Sequence, residues 1–233
     1  MALRGILFDF DGTLADTPTA ERTAWPLVAA VIERHVPDLD RAELHRRYHA
    51  LFERHYADYL AGTIEFSEYR RRRLSEAIAP WREVDDELFD DYRAAKRRGL
   101  EELRLYDDAI ATLRAVRSAG LHAGLLTNGP SELQRRKLEI TGIEPELDAI
   151  AISEEIGVAK PAAEAFAVAA AMIGCDPSEV AMVGDSPEAD ITGAVAANVA
   201  IAVLVTRGLP LQADGAIVVE SLDGLLGVLA PGS

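Results

Sequence analysis

Apolar residues fall into short, nearly continuous runs at residues 4–10, 121–127, 149–153, 180–184 and 200–206, each bounded by Gly, Asp, Asn or Ser. Runs of that length with no polar face are the pattern of strands buried on both sides. Residues 216–219 add a further candidate strand. Between the later runs the period changes. Residues 107–119, 131–141, 162–173 and 188–197 carry the three- and four-residue apolar spacing of one helix face. Buried strands alternating with such helices predict an α/β fold, a parallel sheet with helices on both faces.

The alternation stops after the first strand. From about residue 16 to residue 99 only helical periodicity is found, over 21–35, 41–60, 66–78 and 85–98. A helical block inserted at that point reads as an all-α cap domain. The expected division is therefore a core of residues 1–15 and 100–233 and a cap of residues 16–99. There is no internal repeat, low-complexity tract or Ser/Gly-rich linker.

With 233 residues, 49% hydrophobic and 27% charged, the chain has ample apolar material for a core domain plus an insertion. Its formal net charge is −15. A field of that sign repels polyanions, so nucleic-acid polymers and anionic membranes are not expected partners. A small anion remains compatible if local cations or a metal reverse the sign in one cleft. Cys175 is the single cysteine, which excludes an intrachain disulfide and reads as a packing thiol. Met1-Ala2-Leu3-Arg4 has no secretory pattern, and the longest apolar run, 199–205, is far short of a membrane span. The expectation is a cytoplasmic protein.

Chemistry-bearing residues gather at the ends of predicted strands, where the loops of an open α/β sheet build ligand sites. The first strand leads into Asp9-Phe10-Asp11-Gly12-Thr13-Leu14, the second into Thr127-Asn128-Gly129, and the fourth into Gly184-Asp185-Ser186 with Asp190 beyond. Lys160-Pro161 follows the third strand. Gly12 permits the chain to turn directly after Asp9 and Asp11. Three carboxylates in one small volume call for a cation or a retained proton. All-oxygen ligation suits Mg²⁺. Thr127 and Asn128 supply uncharged donors and Lys160 a point charge for a phosphoryl oxygen. Positioning, charge neutralisation and a placed nucleophile are what phosphoryl transfer requires.

On those residues the sequence resembles the haloacid dehalogenase superfamily of hydrolases, with four motifs in order: Asp9 to Leu14, Leu125-Leu126-Thr127-Asn128-Gly129, Val158-Ala159-Lys160-Pro161 and Val183-Gly184-Asp185 with Asp190. The resemblance implies a Rossmann-like core and a helical cap after the first motif. It implies Asp9 as nucleophile and metal ligand, and Asp11 as general acid/base whose backbone carbonyl also binds the metal. Thr127, Asn128 and Lys160 would hold the phosphoryl group, with a substrate or backbone contact as the other reading of Asn128; Asp185 would ligate Mg²⁺ directly or through water, and Asp190 would orient the metal surroundings or Lys160. The dehalogenating branch lacks an acid at the place of Asp11, because a halide leaves without a proton. Asp11 therefore matches the phosphatase pattern, since an alkoxide must be protonated as it leaves. The stretch from Thr127 through Glu132, Gln134 and 136–138, with residues 153–161, is similar to nucleoside-monophosphate phosphatases and to phosphatases of sialic acid 9-phosphate. The expected activity is hydrolysis of small phosphorylated metabolites such as nucleoside monophosphates or sugar phosphates, through an aspartyl-phosphate.

Three rivals bound this expectation. A sugar phosphomutase shares all four motifs. A phospho-receiver domain shares the acidic cluster, Thr and Lys, but lacks an acid beside its phosphate and is about half as long. A non-catalytic binding protein would not need the intact set. Elsewhere, His45, His49 and Glu53 sit at four-residue spacing that suits a metal, although a solvated helix face gives the same pattern. His35, His55 and His122 show no sequence partner. The basic run at 70–73 reads as an exposed face paired with Glu68 and Glu76, with one arginine able to meet a substrate's remote anion. Trp25, Tyr48, Phe52 and Tyr56 read as cap packing. Asp16 and Thr17 fit either a cap entrance or the start of the next helix.

Overall fold

The computed structural model describes residues 3–229, the side chains of Phe52, Glu53 and Leu226 excepted. Strands β1 (Gly5–Phe8), β2 (His122–Thr127), β3 (Ala149–Ile152), β4 (Val180–Gly184), β5 (Ile201–Val205) and β6 (Ala216–Val219) form one parallel sheet in the order β3-β2-β1-β4-β5-β6. Each lies within a run picked out by its apolar residues, and four are shorter than the run. The trimmed ends enter turns, and at the C-terminal ends those turns carry the polar motifs. β1 is central, and all four of its residues are buried. Successive strands build outward on one side of β1 to β3, then restart at β4 on the other. The loops after β1 and β4 therefore diverge, which opens a crevice at the carboxyl ends of these two strands.

Alternation along the strands sends consecutive side chains to opposite faces. Leu7 packs in a buried cluster with Leu126, Met182 and Leu204 and with Ala165, Phe166, Ala169 and Ile173 from the region of helix α9 (Ala163–Met172). Its neighbours Ile6 and Phe8 are equally inaccessible, so both faces of the sheet are covered. The other helices here are α6 (Ala109–Ser118), α7 (Ser131–Thr141), and the short α8 (Ser153–Ile156), α10 (Gly193–Ala196) and α11 (Leu225–Leu229). The helix expected over 188–197 is instead a wider π-type turn at Pro187–Thr192 followed by α10. That turn brings Asp190 back onto the end of β4, where its Oδ2 accepts from the Ser186 N–H at 2.9 Å.

The chain divides into two compact units, Met1–Pro18 with Leu103–Ser233, and Thr19–Glu102. The second unit is helical, with most of α1 (Thr17–His35), α2 (Arg41–Ala50), α3 (Phe52–Leu60), α4 (Phe66–Ile78) and α5 (Asp86–Leu100). Its core is a helical stripe pattern made real: Val28, Ile32 and Val36 from the region of α1, then Leu44, Tyr48, Leu74, Ile78, Leu88 and Tyr92. The single helix expected over 41–60 divides at Leu51, which leaves helical geometry at φ −91°, ψ 1°. The break keeps Leu51 in the same buried cluster as Leu44 and Tyr48. Among the described residues, no helix is long and apolar enough to cross a membrane.

Candidate active site

Every predicted site residue lies in the sheet-containing unit. Asp9 directly follows β1, and its N–H donates to Val183 O at 2.9 Å, so the ladder to β4 fixes its backbone. Lys160, 3% exposed, reaches in from the segment after α8. Its ammonium donates to Asp9 Oδ1 at 2.5 Å and to Asp190 Oδ1 at 2.7 Å. Asp9, Asp185 and Asp190 each present an oxygen within 4.8 Å of the others. Asp190, 1% exposed, is thus an integral member of the cluster, held by Lys160 on one oxygen and by the Ser186 N–H on the other.

The two glycines of these loops are there for space. Gly12 has φ +83°, and a Cβ would stand 2.1 Å from Asp185 Oδ2. At Gly184 a Cβ would stand 2.2 Å from Asp190 Oδ2. Any side chain at either position would push an aspartate out of the cluster.

Three carboxylates around one ammonium leave negative charge in excess, and the titration behaviour follows. Burial raises the Asp9 carboxyl well above the usual range; Lys160 opposes, and Asp190 and Asp185 add to the rise. Asp185 is pushed up to about 7, first by burial and then by Asp190. For Lys160, burial favours the neutral amine, but Asp190 and Asp9 outweigh it and hold the ammonium charged. This donor set fits a hard divalent cation: carboxylate oxygens only, close together, with uncompensated charge.

Asp11 points elsewhere. Lys137 donates to both of its carboxylate oxygens, at 2.6 and 2.8 Å, Gln134 Nε2 donates to Oδ2 at 2.9 Å, and the Thr17 hydroxyl donates to Oδ1. Burial acts to raise its pKa, but Lys137 and these hydrogen bonds win and lower it. Thr17 is thus a partner of Asp11 as well as the first residue of α1. Thr127, 1% exposed, accepts from Gln134 Nε2 at 2.8 Å. Asn128 spends its amide on the backbone of Lys160, donating to the carbonyl at 2.8 Å and accepting from the N–H at 2.9 Å. Its observed work is to fix the Lys160 loop.

Lys137 and Gln134 were not singled out as site residues by sequence reasoning. Their signals were a shared helix face, three residues apart, and a place in the stretch after Thr127 that resembles the nucleoside-monophosphate and sialic acid 9-phosphate phosphatases. Arg207 was missed too. It donates to both Asp108 oxygens, at 2.6 and 3.0 Å, and to the Thr13 carbonyl at 2.5 Å, and its guanidinium lies 3.8 Å from the centre of the Tyr106 ring. The loop after β5 is thereby tied to the turn that follows Asp9.

In the helical unit several expectations change. His35 meets Asp91 at 3.1 Å and His55 meets Glu76 at 2.6 Å; in the sheet unit His122 lies 3.5 Å from Asp148. Each of these three histidines has an acidic partner distant in sequence. Of the basic run, Arg72 pairs with Glu68 as expected, but Glu76 is engaged by Arg54 and His55, and Arg71 pairs with Asp86. Arg73 is buried, with its guanidinium 3.8 Å from the Tyr48 ring centre and Nε donating to Tyr48 O at 2.9 Å. His45 and His49 pack with ring centres 4.3 Å apart and planes tilted by 44°, with Trp25 beside both, while the side chain of Glu53 lies outside the described residues. Trp25 and Tyr48 pack at 5.3 Å, and Tyr56 packs with Tyr59 and Tyr69; the Phe52 side chain lies outside the described residues.

The haloacid dehalogenase-like hydrolase family matches residues 3–198, and the chain belongs to that family. A ribulose-1,5-bisphosphate 5-phosphatase from Halopiger xanaduensis is 34% identical over 196 residues, 81% of this chain and 79% of that protein. A phosphoserine phosphatase from Thermus thermophilus is 45% identical over 105 residues, 45% of this chain. The chain spans about two-fifths of the length of the first curated relatives it matches, 42% and 41%. Among solved structures, the magnesium-bound hydrolase YfnB from Bacillus subtilis superposes with a TM-score of 0.78 over 99% of this chain and 100% of that one. Its 23% identity makes this a likeness of fold.

Proposed function

We propose that this hydrolase is a Mg²⁺-dependent phosphomonoesterase of small phosphorylated metabolites, acting through an aspartyl-phosphate on Asp9. The observation that carries this reading is Lys160 bridging Asp9 and Asp190 beside Asp185, at the divergence of the β1 and β4 loops. In the proposed first step a carboxylate oxygen of Asp9 attacks phosphorus as the bond to the ester oxygen breaks, and Asp11 gives that oxygen its proton. In the second step Asp11 takes a proton from water, the water oxygen attacks phosphorus, and the bond to Asp9 breaks to release phosphate. Lys160 and Thr127 hold the phosphoryl oxygens, and Asn128 keeps the Lys160 loop in place. Mg²⁺ would be held by Asp9, Asp185 and the backbone carbonyl of Asp11, with Asp190 in support, and would neutralise the cluster and the phosphoryl charge. In this reading residues 1–15 and 100–233 are the catalytic core and 16–99 a cap that selects the substrate.

The names of the relatives join an amino-acid ester to a sugar ester. What carries over is the class of small phosphomonoesters, within which nucleoside monophosphates and sugar phosphates are the substrates to screen first. Phosphate release from p-nitrophenyl phosphate should vanish with a chelator and return with Mg²⁺. Asp9→Asn should lower turnover by about 10⁴-fold or more, the scale of losing a covalent nucleophile. Acid-quenched wild-type enzyme should carry a hydroxylamine-labile phosphoryl group that Asp9→Asn lacks. Turnover retained by Asp9→Asn would overturn the mechanism.

A further inference from the structure

Asp11 is the one carboxylate of the four motifs that stands apart from the cluster, and an unforeseen pair of side chains holds it there. Gln134 and Lys137 lie three residues apart on α7, on one face, and are 1% and 7% exposed. Lys137 donates to both oxygens of Asp11. Gln134 Nε2 turns its two N–H groups toward three acceptors within hydrogen-bond distance, Asp11 Oδ2 at 2.9 Å, Thr127 Oγ1 at 2.8 Å and Asn128 O at 2.8 Å. Its own Oε1 is buried with no hydrogen-bond partner among the described residues. A glutamine in open packing would turn its carbonyl toward a donor. This one is held with its amide against three acceptors and its oxygen unsatisfied, so its orientation is fixed by what it must touch. Gly129 leaves room beside this amide: a Cβ there would stand 3.2 Å from Gln134 Nε2, a tight contact, and its φ of +141° is one that side-chain-bearing residues rarely adopt.

From this geometry we infer that Gln134 and Lys137 are positioning residues of the reaction. They clamp the carboxyl of Asp11 in register with Thr127, so that the carboxyl through which the proton passes and the phosphoryl holder keep one spacing. The inference rests on the proposed role of Asp11 as general acid. The pair does not touch the phosphorus; it acts through Asp11. Lys137 fixes the carboxyl by charge, and Gln134 ties it to Thr127 across two motifs separated by more than a hundred residues. The clamp serves substrates whose leaving oxygen needs a proton, which are alkyl phosphates, and matters little for a leaving group that departs as a stable anion.

The test is a mutant cycle with Asp11→Asn, Lys137→Met and the double variant, measured with Mg²⁺ on β-glycerophosphate and on p-nitrophenyl phosphate. Lys137→Met leaves Asp11 its Gln134 and Thr17 partners, so the fold has support, and thermal unfolding checks it. Lys137→Met is expected to lose kcat on β-glycerophosphate about tenfold or more beyond its loss on p-nitrophenyl phosphate, part of the 10²–10⁴ that acid catalysis supplies. It should add almost nothing once Asp11 is Asn, and Lys137→Arg should restore part of the loss. Gln134→Ala should show the same selectivity together with a raised KM, because it also releases Thr127. If Asp11→Asn is selective while Lys137→Met hurts both esters equally, or its effect adds fully to that of Asp11→Asn, the clamp is overturned and the acid role stands. If Asp11→Asn itself shows no selectivity, the acid role falls and the clamp with it. Should Lys137→Met fail to fold, Lys137→Arg and Gln134→Ala decide alone, and equal losses on both esters in each would overturn the clamp.

Discussion

Charge is handled in opposite ways in the two units of this chain. In the sheet-containing unit Asp9, Asp190 and Lys160 are nearly inaccessible, and one ammonium serves two carboxylates. In the helical unit several pairs are exposed and local, such as Arg72 with Glu68, Arg46 with Glu43 and Arg82 with Asp85. An exposed pair in water is worth about 0–1 kcal/mol, so such pairs adjust a helix without deciding its place. A buried pair costs several kcal/mol per ion in desolvation, and folding tolerates it only when partners are fixed. The dense ladder, the two space-making glycines and the clamps by Asn128 and Arg207 are that fixation. Arg73 is the exception in the helical unit, a buried cation packed on Tyr48.

The contrast can be broken by substitution, beginning where most is at stake. Lys160→Ala strips the shared cation from two buried carboxylates and should cost about 3–5 kcal/mol, read as a lower urea midpoint for the metal-free protein. An unchanged midpoint would mean that the cluster is far better hydrated than its burial implies. Asp185→Asn removes one oxygen charge from the cluster and should raise the Mg²⁺ concentration needed for half activity, with little change in stability. An identical Mg²⁺ titration would count against Asp185 as a ligand. Asp40 accepts hydrogen bonds from the N–H groups of Ala42 and Glu43 at the start of α2. Asp40→Ala should cost about 1 kcal/mol and lower the melting temperature by roughly 2–4 °C. The smallest effect is expected from Arg72→Ala, which breaks one exposed i, i+4 pair and should shift stability by less than about 0.5 kcal/mol. A loss above about 1 kcal/mol there would show that the exposed pairs act as a network.

Much of this was legible along the chain. The strand runs, the interruption by helices and the four strand-end motifs are local patterns, and local sequence sets them through side-chain period, Gly at the turn and Asp at the strand end. The same logic overreached where local propensity met a tertiary demand. Residues 41–60 read as one helix because the period is continuous, yet Leu51 breaks it to join the unit's core. Residues 188–197 read as an ordinary helix, but the wider turn is what returns Asp190 to the Ser186 N–H.

The sequence by itself determined the fold class and singled out Asp9, Asp11, Thr127, Lys160, Asp185 and Asp190 as candidates, because each sits at a position defined by its immediate neighbours. Only the tertiary structure decided who holds whom. Lys137 lies 126 residues from Asp11, Gln134 123, and Arg207 194 from Thr13. The partners of His35, His55 and His122 are likewise distant. Such pairings depend on strand order and on which face of a helix meets which loop. Periodicity says that a helix has a buried face, but it does not say what that face will touch.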